Sequence, residues 1–180
     1  MKKIIISLML LLSMVVVAQK KPSVALHYSL TDFETVMNHH LSKFSAMDAG
    51  YRVSYWHGLA RNFDVRAGIN YSSSVYTIPV GTYSNTEKLF TFEASGVYKV
   101  FAGDKYAVTP YLAAGTALYS NVGKTGFYVP AGLGVHINLK NEAFVFSEAT
   151  YRIAFGSSTN GSLVYSVGVG TSLFREKKAK

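Results

Sequence analysis

The sequence contains no cysteine and few charged residues. Without cysteine there is no disulfide framework, no thiolate metal site and no attachment point for a lipoprotein's lipid. Charged residues make up 16% of the 180 residues, against about 25% in globular domains. The basic residues are scattered, which argues against a nucleic-acid partner. Phosphate-loop, dinucleotide-binding and HExxH motifs are absent, so the residues predict no cofactor.

Long apolar runs are equally scarce, and the one clear run lies at the N-terminus. Residues 4–18 follow Lys2 and Lys3 and end at Ala18. The run is shorter than the roughly 20 residues of a spanning helix, so it predicts a cleavable signal peptide over residues 1–18. We then expect a β-barrel over residues 19–174 and a basic tail over residues 175–180. Without a second apolar run, a membrane could be crossed only by strands.

The dominant pattern of the remaining sequence is an alternation with a period of two. Between residues 127 and 140 one parity is apolar, and it consists of Phe127, Val129, Ala131, Leu133, Val135, Ile137 and Leu139. The other parity is small or polar. Successive side chains of a strand point to opposite faces, so this segment is a two-faced strand. The split recurs over residues 24–31, 47–55, 63–72, 90–99, 145–155 and 163–173, whereas residues 109–120 leave the parity ambiguous.

The connections between these segments are rich in Gly, Ser, Asn and Thr. Residues 57–62, 102–107 and 141–143 form short connections, and residues 32–45, 73–89, 120–126 and 156–162 tend to form longer ones. This asymmetry is typical of membrane barrels with periplasmic turns and extracellular loops. The sequence therefore predicts an all-β fold, an eight-stranded antiparallel up-and-down transmembrane β-barrel after a cleavable signal peptide.

The apolar parity decides between a membrane barrel and a soluble one. It is almost free of charge in every strand, whereas a water-facing surface would carry many Lys and Glu residues. Small residues on the other parity suit the narrow interior of an eight-stranded barrel. We expect aromatic girdles at the membrane interfaces, formed by Tyr28, Phe63, Tyr71, Tyr98 and Phe101. A soluble ligand-binding barrel with the same period remains the alternative.

Four segments resemble strands of small outer-membrane barrel proteins of the OmpA/OmpX type. They are PYLAAGTALY at 110–119, VPAGLGVH at 129–136, SEATYR at 147–152 and VGVGTSLF at 167–174. The resemblance implies a barrel in the cell outer membrane, with a closing strand whose terminal aromatic residue serves the outer-membrane assembly machinery. Residues 175–180 depart from the pattern because they follow that strand.

Seven charged residues fall on the inward parity and predict a charge network in the lumen. They are Asp48, Arg52, Arg66, Glu93, Lys99, Glu148 and Arg152. Buried charges require partners, so the network would act as a structural plug. The alternative is a narrow pore in which the pairs exchange partners.

Catalysis and metal binding are weakly indicated. His136, Glu148, Ser147 and Ser166 contain the residue types of a lipid hydrolase. However, His136 falls on the inward parity, whereas such an enzyme needs its nucleophile at the lipid surface. His39 and His40 lack a third ligand for a metal. We therefore expect no enzyme activity.

The functional expectation is a structural or interaction protein of the outer membrane. Its partners would be outer-membrane lipid and an extracellular ligand at the loops 32–45 and 73–89. A small diffusion channel of the porin type is the first alternative, and a soluble secreted ligand-binding barrel is the second.

Overall fold

The computed structural model describes residues 20–32, 43, 47–76, 85–101, 108–121, 124–139, 143–155 and 161–173. The predicted signal peptide, the basic tail and His39–His40 lie outside these residues. Eight strands are present: β1 Lys20–Asp32, β2 Asp48–Ala60, β3 Phe63–Tyr76, β4 Asn85–Lys99, β5 Val108–Asn121, β6 Lys124–Leu139, β7 Ala143–Phe155 and β8 Ser162–Ser172. In this described part of the chain, no helix is long and apolar enough to cross a membrane.

Each strand pairs antiparallel with the next, and β1 pairs with β8 to close the barrel. The closing ladder runs from Ser23 opposite Ser172 to Asp32 opposite Leu163. Closure leaves no sheet edge among these paired residues, which is what a bilayer requires of a spanning sheet. The predicted fold class, an eight-stranded up-and-down barrel, is confirmed.

The outer face of the barrel is an apolar belt. Every strand contributes exposed large apolar side chains to it, including Tyr51, Leu118 and Leu133, each more than 60% exposed. The five predicted girdle residues are all exposed there: Tyr28, Phe63, Tyr71, Tyr98 and Phe101. Such a continuous apolar surface is unstable in water and stable in lipid.

The ambiguous strand β5 also follows the alternation. Tyr111 and Tyr119 are buried in the lumen, whereas Leu112 and Leu118 are exposed on the belt. Hydrophobicity alone could not show which residues of β5 face the lumen, because apolar side chains occur on both parities. The burial pattern shows that the tyrosines fill the interior and the leucines face outward.

The connections show a weaker asymmetry than the sequence predicted. The loop end of the barrel carries connections 33–47, 77–84, 122–123 and 156–161, and the turn end carries 61–62, 100–107 and 140–142. The expectation that residues 120–126 form a longer loop was wrong, because Asn121 and Lys124 still pair. Gly, Ser and Asn mark where a hairpin turns but do not fix how far its ladder extends. Conversely, 100–107 is as long as 77–84.

Glycines on the inner parity make room for the aromatic rings of the lumen. Four aromatic residues each lie directly opposite a glycine of the neighbouring strand, and a Cβ on any of these glycines would overlap the ring. The pairs are Tyr111 with Gly134, Tyr119 with Gly126, Phe144 with Gly170 and Phe146 with Gly168. The alternation of large and small residues between strands therefore allows a narrow lumen to hold large rings.

Replacing Gly134 by valine is therefore expected to destabilise the barrel by about 2 kcal/mol, as for other overpacked sites. The new side chain would displace the Tyr111 ring and crowd the Ser147 carbonyl oxygen, which lies 2.6 Å from the Cβ position. Urea unfolding in lipid vesicles, followed by Trp56 fluorescence, measures the loss. Ala131→Val, on the exposed face of the same strand, is the control. Equal stabilities for the two variants would contradict this packing role for Gly134.

Candidate functional site

The lumen is the one place where the described structure collects charged and aromatic side chains. Three groups follow one another along the barrel axis. An aromatic plug, defined as Trp56, Tyr111, Phe144 and Phe146, lies toward the turn end. The ion cluster, defined as Arg52, Arg66, Glu93, Glu148 and Arg152, lies next to it. Buried hydroxyl residues of the strand ends, including Ser29, Thr31, Thr91 and Ser162, lie toward the loop end, together with a second buried apolar group of Leu89, Ala117, Tyr119 and Tyr128.

Glu148 is the most heavily bonded member of the ion cluster. It accepts hydrogen bonds from Arg66 Nη1 at 2.5 Å and Nη2 at 3.2 Å, and from Arg52 Nη2 at 3.4 Å. The Tyr111 hydroxyl and Thr150 Oγ1 each donate to it at 2.9 Å. Strands β2, β3, β5 and β7 are thus joined across the lumen by one carboxylate. Charge-assisted bonds of this kind are the stronger class of hydrogen bond.

Glu93 forms the second acidic centre of the ion cluster. Arg52 Nη1 donates to both of its oxygens at 3.1 Å, and Arg66 Nη2 donates to Oε1 at 3.1 Å. Arg152 is farther away, with 3.8 Å between its Nη2 and Glu93 Oε2. Arg52 and Arg66 therefore neutralise both carboxylates, and Arg152 is the third cation of a group with two anions.

His27 and Ser54 lie beside the cluster, and their hydrogen bonds fix the histidine tautomer. Two nitrogens of the Arg52 guanidinium lie within hydrogen-bond distance of His27 Nδ1. The distance is 3.1 Å for Arg52 Nε and 2.8 Å for Arg52 Nη2. A guanidinium can only donate, so Nδ1 accepts and the proton resides on Nε2. Nε2 then donates to Ser54 Oγ at 2.5 Å, and Trp56 Nε1 donates to the same oxygen at 2.8 Å. His27 therefore cannot serve as a base toward Ser54.

The aromatic plug fills the lumen below the ion cluster. The Trp56 ring contacts Tyr111, Phe144 and Phe146 with centroids 5.6 to 6.2 Å apart, and the Arg66 guanidinium lies 5.1 Å from its centroid. Ala25, Val97 and Ala113 complete this buried group, so five strands contribute to it. Cation–π and edge-to-face contacts hold the ring in place.

Two predicted lumenal charges lie apart from the ion cluster. Lys99, at the turn end, forms a salt bridge of 2.6 Å with Asp64, a residue outside the predicted network. Asp48 is half-buried at the loop end of β2, where it makes contacts of its own. The other five predicted residues form the ion cluster itself.

The fold has counterparts among solved structures, although the sequence matches no known family model and no curated protein. Neisserial surface protein A shares 15% identity, with a TM-score of 0.60 over 84% of this chain and 96% of that one. OprG from Pseudomonas aeruginosa shares 11% identity, with a TM-score of 0.59 over 86% and 97%. The outer-membrane enzyme PagL shares 16%, with a TM-score of 0.51 over 84% and 99%.

The chain has the fold of the small outer-membrane β-barrels. The outer face of this fold carries the continuous apolar surface that membrane-spanning barrels present to lipid. Because PagL has the same fold, the architecture alone leaves room for catalysis. The function of this chain therefore depends on its own side chains.

The residues first considered for hydrolysis do not share a site. Ser147 is exposed on the outer face of β7, whereas Glu148 and His136 are buried in the lumen. His136 stacks on Phe144 with ring centroids 4.5 Å apart. Ser166 is buried opposite Glu148. Within the described ranges, no group of three His, Asp or Glu residues could hold a metal ion.

Several residues of the lumen were not predicted from the sequence. His27, Ser54, Trp56 and Tyr111 bond to the ion cluster or pack against it. His27 and Ser54 already lay on the polar parity of their strands, which was the available signal. Trp56 also falls on the parity of Arg52 and Ser54, but an aromatic residue does not show by its own character that it faces inward.

Proposed function

We propose that this protein is a closed outer-membrane anchor that presents its loop-end connections to the outside. The observation that supports this most directly is the aromatic plug. Trp56 lies across the lumen and touches rings from opposite strands, and it is 4% exposed. With the ion cluster next to it, the lumen is closed by two different layers. A structural role follows from that closure, because nothing small passes through packed side chains.

The hairpin of β3 and β4 supports the surface-contact part of the proposal. Its ladder continues from Tyr71 opposite Phe90 to Tyr76 opposite Asn85. The ladder between β2 and β3 ends at Ser72, and the ladder between β4 and β5 ends at Phe90. The hairpin therefore extends five residues beyond the aromatic ring pair of Tyr71 and Phe90, about 16 Å at the rise of a strand. A projection of this length is available for contact with an extracellular partner.

Planar-bilayer conductance tests the closed barrel. The parent protein is expected to give no discrete conductance steps, whereas the double variant Trp56→Ala, Phe146→Ala should show brief openings because half of its plug is removed and the ion cluster is the one intact layer left. The matched control is Tyr51→Ala, Phe92→Ala, which removes two aromatic rings from the exposed belt and should stay silent. Steps of defined size in the parent would contradict the anchor and establish the diffusion channel instead.

The proposal assigns no catalytic role to the lumen. Ser54 Oγ already accepts two hydrogen bonds, and Ser147 faces away from the buried acid and histidine. A nucleophile needs a neighbouring base that can accept its proton. Neither Ser54 nor Ser147 has such a base in the described chain, so we infer that these two serines are not the nucleophile of a lipid hydrolase.

A further inference from the structure

Arg152 is the cation of the lumen with the poorest set of partners. It lies on β7, four residues nearer the loop end than Glu148, and it is 3% exposed. Its contact with Glu93 is 3.8 Å long, and its buried Nε has no hydrogen-bond partner in the described chain. A guanidinium carries five N–H donors. Burying it with so few acceptors is unfavourable unless something else accepts from it.

The neighbouring carboxylates are already engaged by the other two arginines. Arg52 donates to both oxygens of Glu93, and Arg66 donates to both oxygens of Glu148. With three arginines and two glutamates, the ion cluster carries one excess positive charge. This charge resides on the side that faces the loop end, because Arg152 is the member displaced in that direction.

Hydroxyl groups surround the lumen on the same side of the cluster. Ser162 lies directly opposite Arg152 in the ladder between β7 and β8. Ser29 and Thr31 follow His27 in β1, and Thr91 precedes Glu93 in β4, which is the direction of the loop end in both strands. All four hydroxyl oxygens are buried and without a hydrogen-bond partner among the described residues. Hydroxyl groups can donate to an anion that the arginine attracts.

The acidic residues at this end do not fill that role for Arg152. Asp32 is the last residue of β1 and is buried, with contacts of its own. Asp48 opens β2, four residues from Arg52, and is half-buried. Both make other contacts, and neither lies within salt-bridge distance of Arg152.

We propose that the part of the lumen beside Arg152 and Ser162, on the loop-end side of the ion cluster, is a binding site for a small oxyanion such as inorganic phosphate or sulfate. Arg152 would supply the charge and a two-pronged pair of N–H donors, a geometry that matches two oxygens of one anion. Ser162 would donate the nearest hydroxyl, and Thr91, Ser29 and Thr31 would line the remaining surface. The ion cluster forms the floor of the site, so the anion binds without passing through the barrel.

A phosphate titration of the full-length protein, purified in a zwitterionic detergent, tests the site. Phosphate replaces chloride at constant ionic strength, and urea unfolding is recorded at each concentration, since a ligand that binds the folded state raises its stability. Sulfate is tested in the same way. The parent is expected to show a saturable rise in the urea midpoint, and Arg152→Met should weaken the apparent affinity at least tenfold.

The controls separate a specific site from general salt effects. Arg61→Met removes the same charge from the exposed turn 61–62 at the far end and should leave the affinity unchanged. Ser162→Ala keeps the guanidinium and should weaken binding severalfold, which tests the site even if Arg152→Met folds poorly. The absence of a saturable response in the parent would overturn the proposal. So would parental affinity in both Arg152→Met and Ser162→Ala.

Discussion

Replacing Glu148 by alanine is expected to lower the free energy of unfolding by about 3–5 kcal/mol, the usual cost of removing one partner from a buried ion pair. The substitution would leave three buried arginines facing the single carboxylate of Glu93. It would also remove the acceptor for the Tyr111 hydroxyl and for Thr150 Oγ1. Urea unfolding in lipid vesicles measures the loss. The temperature at which the protein changes mobility on a detergent gel gives a second readout.

A neighbouring substitution and a charge-balanced double variant sharpen this test. Ser147→Ala changes the adjacent residue on the exposed face of β7, so it should stay within about 0.5 kcal/mol of the parent. Adding Arg66→Met to Glu148→Ala restores the parental excess of one positive charge, with two arginines and one glutamate. We expect the double variant to regain part of the lost stability. Parental stability in Glu148→Ala would show that the ion cluster does not hold the strands together.

The architecture could be predicted from the sequence because its signal is local. On β6, Leu133 is exposed and Gly134 is buried, as the alternation indicates, and the same holds along most other strands. A period of two repeated around eight strands fixes which face of each strand is apolar. Charges occur almost only on the other parity, and six of the seven charged residues predicted for the lumen are buried, but the buried Asp64 was not among them.

The features that escaped prediction depend on residues far apart in the chain. Tyr111 faces the lumen because Gly134 on the next strand leaves room for its ring. The β5–β6 ladder likewise continues past Tyr119, where Gly126 lies opposite. Neither preference is visible within β5 alone, where Tyr and Leu are both acceptable on either face.

The sequence also could not show which charged side chains of the lumen pair with each other. The alternation selected the inward charges but could not show that Lys99 would pair with Asp64 while three arginines share two glutamates. In a narrow lumen, side chains from opposite strands meet. The pairing therefore depends on the stagger of the closed barrel and on side-chain length.

Replacing Leu133 by arginine is expected to destabilise the barrel in lipid vesicles by about 2–4 kcal/mol, the cost of a cation on the lipid face near the bilayer midplane. Leu133 lies in the middle part of β6 and is 63% exposed. In water, a substitution at such an exposed position would change stability by only about 0.5 kcal/mol. The size of the effect therefore reports directly on whether lipid covers this face.

Leu139→Arg provides the depth control for this measurement, because Leu139 ends the same strand at the turn end and is also exposed. Near the interface an arginine costs only about 0–1 kcal/mol on the lipid face, since its side chain reaches the headgroups. Equilibrium unfolding of both variants in phosphatidylcholine vesicles should therefore give a large loss at 133 and a small one at 139. Two small and equal losses would mean that water, rather than lipid, faces the belt, and the soluble ligand-binding barrel would then replace the membrane anchor.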